Sequence, residues 1–382
     1  MPDLVVTRAD LGHGRLLDLR VADGRIRAVE PELAVGDGDL VLDAAGGAVI
    51  PGLHDHHVHL YAMAAARRSL DLGSAAVEGP GQLEAALRAA DRAAPTGAWL
   101  RAVGYHDGVA GALDRHRIDG VVADRPVKVQ HRRGHEWVVN TPALQAVLRL
   151  APDHEGIERD RSGSPTGRLR GMDAVLDAAA GRQTPCLREV SERAARFGVT
   201  GFTDATPFAD ATALEALVSA KASGELRQRT VVMTGPDLGA CPDGLVLGPV
   251  KLLLEDTALP GMDDLCAVVA DAHRAGRPVA VHCVTRAQLV LTVAALGEAG
   301  ARAGDRVEHG ALIPGELVGT LRRLGVCVVT NPGFLFDRGD DYLADVDAVD
   351  QGDLYRCGSL LSAGVVPLAT MQTSPASKPR AW

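Results

Sequence analysis

Apolar and polar residues alternate over the first fifty positions. The runs "LVVTRA", "LLDLRVADGRIRAVE" and "LVLDAAGGAVI" have period two and are broken by "ADGR" and "AGG". Asp-Gly between two such runs marks a hairpin, so residues 1–50 are expected to form a small antiparallel, sandwich-type sheet. Pro51-Gly52 then leads into a further strand, "PGLHDHHVHL". From residue 199 the pattern changes to short apolar runs separated by helical stretches. The runs are "VTGFTDA" (199–205), "QRTVVM" (228–233), "PVKLLLE" (249–255), "RPVAVHC" (277–283), "DRVEHG" (305–310), "GVCVVTN" (325–331) and "GVVPLAT" (364–370). Helical stretches such as "MDDLCAVVADAHRAG" and "TRAQLVLTVAALGEAG" end in the glycine that commonly stops a helix. Continuously apolar strands alternating with helices mean a parallel sheet. Seven such strands and the strand from Pro51 make eight, the number in a closed (β/α)8 TIM-like barrel.

The barrel is therefore expected over residues 51–370, with 61–198 as a long insertion after its first strand and 371–382 as an irregular tail. The insertion carries helical patterns near 82–94 and 186–197 and strand-like runs at 99–105 and 126–131. Insertions of this length usually shape an active site, which predicts a cap beside the barrel mouth.

The chemistry lies in "PGLHDHHVHL", which places four histidines in six positions. Alternate side chains of a strand point to opposite faces. Leu53, Asp55, His57 and His59 share one face, and His54, His56 and Val58 the other. Two imidazoles two residues apart can pinch one metal ion, although a histidine cluster without metal has the same spacing. Barrel enzymes carry their reactive groups at the C-terminal ends of strands. Strand one ends at His57 and His59, strand five at His282 and strand six at His309; strand four carries Lys251 early, with Glu255 and Asp256 at its end. Taken together these positions predict a metal centre, and imidazole-rich ligation favours zinc.

Composition narrows the reading further. The chain has 382 residues, 46% hydrophobic and 23% charged, with a net charge of −9. Aromatics are only 3%, so Leu, Val and Ala must build the core. The basic cluster "HRRGH" (131–135) is too short to argue for nucleic-acid binding. No apolar run has membrane-spanning length and the N-terminus lacks a signal pattern, so a cytoplasmic enzyme is expected, with its oligomeric state left open. Six scattered cysteines without a C-x-x-C pair read as free thiols.

The chain resembles the amidohydrolase superfamily, and within it the YtcJ-like (amidohydrolase 3) group. The resemblance rests on "PGLHDHHVHL", "RGHEWVVNTPAL", "VTGFTDA", "VKLLLED", "VAVHC" and "RVEHG". It implies that His57, His59, His282 and His309 ligate one or two divalent ions, and that Lys251 is a carboxylated lysine bridging two of them. It further implies hydrolysis of a C–N bond other than a peptide bond by metal-activated water, in an amide, cyclic amide or N-acyl small molecule. Deamination of a heterocyclic amine is the alternative on the same barrel. His135, Trp137, Asn140, His106 and His131 are expected to line the substrate pocket. Where the family has an acidic stretch after the strand-five histidine, this chain has "HCVTRAQ", which makes Arg286 a further substrate contact. The family's strand-eight aspartate has no counterpart in "AGVVPLATMQTSPASKPRAW". The expectation is a truncation by frameshift near residue 370 and a catalytically impaired chain, unless Glu255 or Asp256 moves the proton instead.

Overall fold

The computed structural model describes residues 2–370 apart from 13, 133, 135, 182–183, 209–210, 237 and 239–240. The tail from 371 onward, and with it the expected frameshift, lies outside the described residues, as does His135. Two compact units divide near Leu53.

The first unit is a four-stranded sheet of β1 (Leu4–Asp10), β2 (Leu16–Ala22), β3 (Arg25–Glu30) and β4 (Leu40–Asp43), in the order β3-β2-β1-β4. β2 pairs antiparallel with both β1 and β3, around a turn at Asp23-Gly24. β4 instead runs parallel to β1. The sheet is mixed, not antiparallel as its alternation suggests, because alternation reports which face a side chain takes and not the direction of the neighbouring strand.

The second unit holds a barrel and an inserted sheet. β5 (Leu53–Val58) is the first barrel strand. The insertion follows with β6 (Leu70–Asp71), β7 (Leu100–Tyr105), β8 (Val127–His131), β9 (Glu136–Val139), β10 (Ile157–Arg159) and β11 (Pro165–Arg170), in the order β10-β11-β9-β8-β7-β6. Helices Gly79–Ala93 and Thr141–Leu150 pack against it, burying Leu83, Leu87, Leu144 and Val147. The barrel resumes with β12 (Val199–Phe208), β13 (Arg229–Thr234), β14 (Val246–Leu252), β15 (Val279–Cys283), β16 (Arg306–His309), β17 (Cys327–Thr330) and β18 (Pro367–Ala369). These strands are parallel from β12 to β18 and join β5 in an eight-stranded sheet in sequence order. β5 and β18 end that order, and the Thr370 hydroxyl donates to the His57 carbonyl at 2.6 Å across the remaining gap.

β14 begins at Val246, earlier than its Pro249 suggests, and ends at Leu252. Lys251 is thereby moved from the start of a strand to its C-terminal end. Helices Met262–Arg274, Arg286–Ala299 and Gly315–Leu324 cover strands β14 to β17, burying Leu265, Val269, Leu289, Leu296 and Leu321 with Val250, Val281, Val307 and Val328. All six cysteines are free. No helix among the described residues is long and apolar enough to cross a membrane.

The insertion touches the barrel through Arg132, whose guanidinium lies 2.6 Å from Asp341 on helix Gly333–Asp345. That helix follows β17, so the contact is on the C-terminal side of the barrel strands. Within the insertion Asn140 is fully buried and makes four bonds. Its carbonyl accepts from Val127 N and caps the next helix at Ala143 N; its amide donates to Val122 O and Arg125 O. Asn140→Ala removes the cap and strands three buried backbone groups, and is expected to cost roughly 2–4 kcal/mol. Urea unfolding followed by tryptophan fluorescence measures it; a loss under about 1 kcal/mol would show that water replaces those bonds.

Candidate metal centre

Four strands deliver the predicted side chains to one place. His57 lies near the end of β5 and His59 just after it, Lys251 stands near the end of β14, His282 on β15, and His309 ends β16. The His57 ring lies 5.3 Å from that of His59 and 4.6 Å from that of His309, and His282 and His309 are also 4.6 Å apart. His54 and His56 pair with each other at 4.6 Å, and the ring of His54 meets Thr203 at 2.8 Å.

Glu308 and His309 both reach His57 although they are sequence neighbours on a strand. The backbone explains this. His309 has φ +68° and Gly310 φ +48°, so alternation stops at His309. A side chain at Gly310 would also lie 2.6 Å from Val328 Cγ1, which leaves glycine as the residue that fits.

Burial sets the protonation of the cluster. Desolvation, and then the nearby Lys251 ammonium, hold His57 well below the ordinary imidazole value and bring His59 to about 4. Desolvation followed by His57 and His282 does the same to His309. These rings are neutral at pH 7, the form that ligates. Burial lowers Lys251 to about 8, against the opposing pull of Glu308.

The donor set fits a divalent cation. His57 Nε2 and Lys251 Nζ are buried and have no hydrogen-bond partner among the described residues. Buried polar atoms are otherwise almost always paired, so both point to a missing partner. Each strand-one ring is held from behind: Nδ1 of His57 by Glu308 and Nδ1 of His59 by Thr206 at 3.1 Å. This is the arrangement common behind metal-ligating imidazoles. Among the described residues no three His, Cys, Asp or Glu side chains are already set to hold an ion.

The other expected contacts divide. His106 and His131 line a polar cavity of about 300 Å³ in the insertion with Asp107, Arg132, Glu136 and Arg168. Trp137 and Asn140 do not line that cavity. Trp137 is 4% exposed, donates to Asp173 at 2.9 Å and has Arg101 and Lys128 over its ring; Asn140 is the helix cap described above. Both build the core of the insertion. Arg286 is bound up with Asp350, Asp353 and Glu316 at the surface. Glu255 and Asp256 lie beyond the end of β14, exposed, with Asp256 accepting from Thr285.

Sequence reading missed Glu308, Arg306, Asp204 and Thr206. Asp204 and Thr206 sit two apart on β12, a same-face spacing visible in "TDAT". Glu308 gave no such signal, since a carboxylate next to a strand-end ligand should face away from it.

The sequence pattern described as the amidohydrolase family matches residues 40–370. The chain belongs to the amidohydrolase family. YtcJ of Bacillus subtilis (strain 168), named as an amidohydrolase, is 27% identical over 337 residues, or 76% of this chain and 63% of that protein. The N-substituted formamide deformylase of Arthrobacter pascens is 31% identical over 200 residues, covering 47% of this chain and 35% of its own length. The chain thus spans less than two thirds of these curated relatives. Two solved structures, named as uncharacterized metal-dependent hydrolases from Pyrococcus furiosus and Pyrococcus horikoshii OT3, superpose with TM-scores of 0.69 and 0.70. They share 17% and 16% identity, cover 98% of this chain and are themselves covered over 86% and 84%. At that identity the likeness is one of fold.

Asp204 offers a test of how dry the site is. It is fully buried, accepts from Leu60 N and Thr206 N, and is raised by desolvation from 3.8 to about 6. The folded chain holds this proton more tightly than the unfolded one. Its contribution to stability is therefore present below about pH 4 and lost as the pH rises through about 6. In metal-free protein, the unfolding free energy of Asp204→Asn minus that of the wild type is expected to rise over this interval. A difference that stays flat from about pH 4 to 7 would mean that Asp204 is solvated.

Proposed function

We propose that this protein is a metal-dependent hydrolase of non-peptide C–N bonds, acting on an amide, cyclic amide or N-acyl small molecule. The observation that carries the reading is the cluster of buried His57 and Lys251 with half-buried His59, His282 and His309, at the ends of barrel strands one, four, five and six. A divalent ion there, zinc by the preference of an imidazole-rich set, supplies Lewis-acid polarisation of a carbonyl and acidification of water. The protein's part is to keep the imidazoles neutral and exclude bulk water.

Lys251 has a second part in the proposal. At about 8 its amine is partly neutral near physiological pH, and a neutral amine adds carbon dioxide to give a carbamate and a proton. The carbamate is an anion suited to two cations, whereas the ammonium would repel them. Residues 61–198 form the cap in this reading. The Arg132–Asp341 contact holds it at the mouth, and the polar cavity around His106 and His131 receives the substrate's polar end.

Protein purified without chelator is expected to carry about one to two equivalents of a divalent transition metal, and His57→Ala or His309→Ala to lose most of it. Elemental analysis decides. Less than about a tenth of an equivalent in the wild type, unchanged by added zinc, would overturn the reading. Turnover of an amide and N-acyl panel is expected to disappear with chelator and return with zinc; turnover confined to heterocyclic amines would make the protein a deaminase instead. Arg132→Ala is expected to raise KM severalfold with less effect on kcat, since it loosens the cap without touching the reacting groups. Unchanged steady-state constants would place the cap away from the substrate.

A further inference from the structure

The ring of His57 is held by a buried charge pair that the metal reading does not itself require. Glu308 is 0% exposed, Arg306 7% and His57 1%. One carboxylate oxygen of Glu308 meets His57 Nδ1 and the other meets Arg306 Nε. The guanidinium then donates from Nη2 to the His56 carbonyl at 2.8 Å. The contacts close a loop from β16 to β5 and back. These strands are not neighbours in the sheet, so the loop joins separate stretches of the barrel wall.

Stability is a weak reason for such a pair. Buried ion pairs often contribute no more than apolar residues of the same volume. The geometry at His57 gives a stronger reason. With Nδ1 donating to a carboxylate, the tautomer is settled and Nε2 keeps its lone pair. Nε2 is also the atom left buried without a partner among the described residues. His59 is treated differently, because its Nδ1 faces the neutral hydroxyl of Thr206 at 3.1 Å. A carboxylate behind an imidazole raises its basicity as a ligand more than a hydroxyl does.

We propose that Arg306 and Glu308 are positioning residues of the metal centre, which make His57 a stronger imidazole donor than His59, whose ring Thr206 holds. Glu308 aims and polarises the ring. Arg306 aims Glu308 and anchors the pair to the strand that carries His57. The inference rests on the metal reading above.

Cobalt(II) titration of the full-length protein, followed by its visible absorption and by competition with a chromophoric chelator, tests the proposal. The wild type is expected to give a saturable band. Glu308→Gln is expected to weaken cobalt affinity about 10–100-fold and to alter the band; Thr206→Val should weaken it less. The double variant Arg306→Met, Glu308→Gln removes both buried charges together and so guards against simple misfolding. Its thermal transition in chelator is expected near that of the wild type, with affinity still reduced. Folded single and double variants that bind cobalt as tightly as the wild type, with the same band, would overturn this inference and leave the metal reading standing. A wild type that takes up no cobalt would remove both.

Discussion

Desolvation at the ends of the barrel strands is the constraint on which the rest of the site depends. A charged imidazole sealed from water, beside other imidazoles and an ammonium, is costly. The rings of His57, His59 and His309 respond by staying neutral, and neutrality makes them donors. The same burial brings Lys251 to about 8, and Asp204 to about 6. Desolvation thus tunes basic and acidic groups in opposite directions, each toward its uncharged form.

Such a pocket still needs fixed directions, and these come from contacts that cross the sheet. Glu308 reaches His57 from β16, Thr206 reaches His59 from β12, and Thr370 reaches the His57 carbonyl from beyond β18. The left-handed backbone at His309 and Gly310 lets two consecutive residues serve the same pocket. Positive φ at a non-glycine residue is uncommon, histidine being among the residues that adopt it more readily, and such strain concentrates at functional sites.

The insertion shows the other use of polar residues. Trp137 and Asn140 belong to a segment that marks the amidohydrolase resemblance, yet both are sealed inside the insertion. Asn140 satisfies backbone groups around a helix start, and Trp137 offers its ring to two cations. A recurring polar residue can therefore serve architecture, because buried backbone groups need partners as much as substrates do.

By itself the sequence determined the parallel barrel, its eight strands, the insertion and the placement of His57, Lys251, His282 and His309 near strand ends. Period and apolar continuity are local properties, and strand ends follow from them. The direction of β4, the true start of β14, and the strands β9, β10 and β11 within the insertion were not readable, since pairing partners lie far away along the chain. Nor was the pairing of Arg306 and Glu308 with His57, separated by some 250 positions. Alternation assigns Glu308 to the wrong face, and only closure of the barrel and the left-handed turn at His309 reverse it. Tertiary structure decided the second layer of the site because a hydrogen bond between distant strands depends on how the sheet closes, and no local pattern records that.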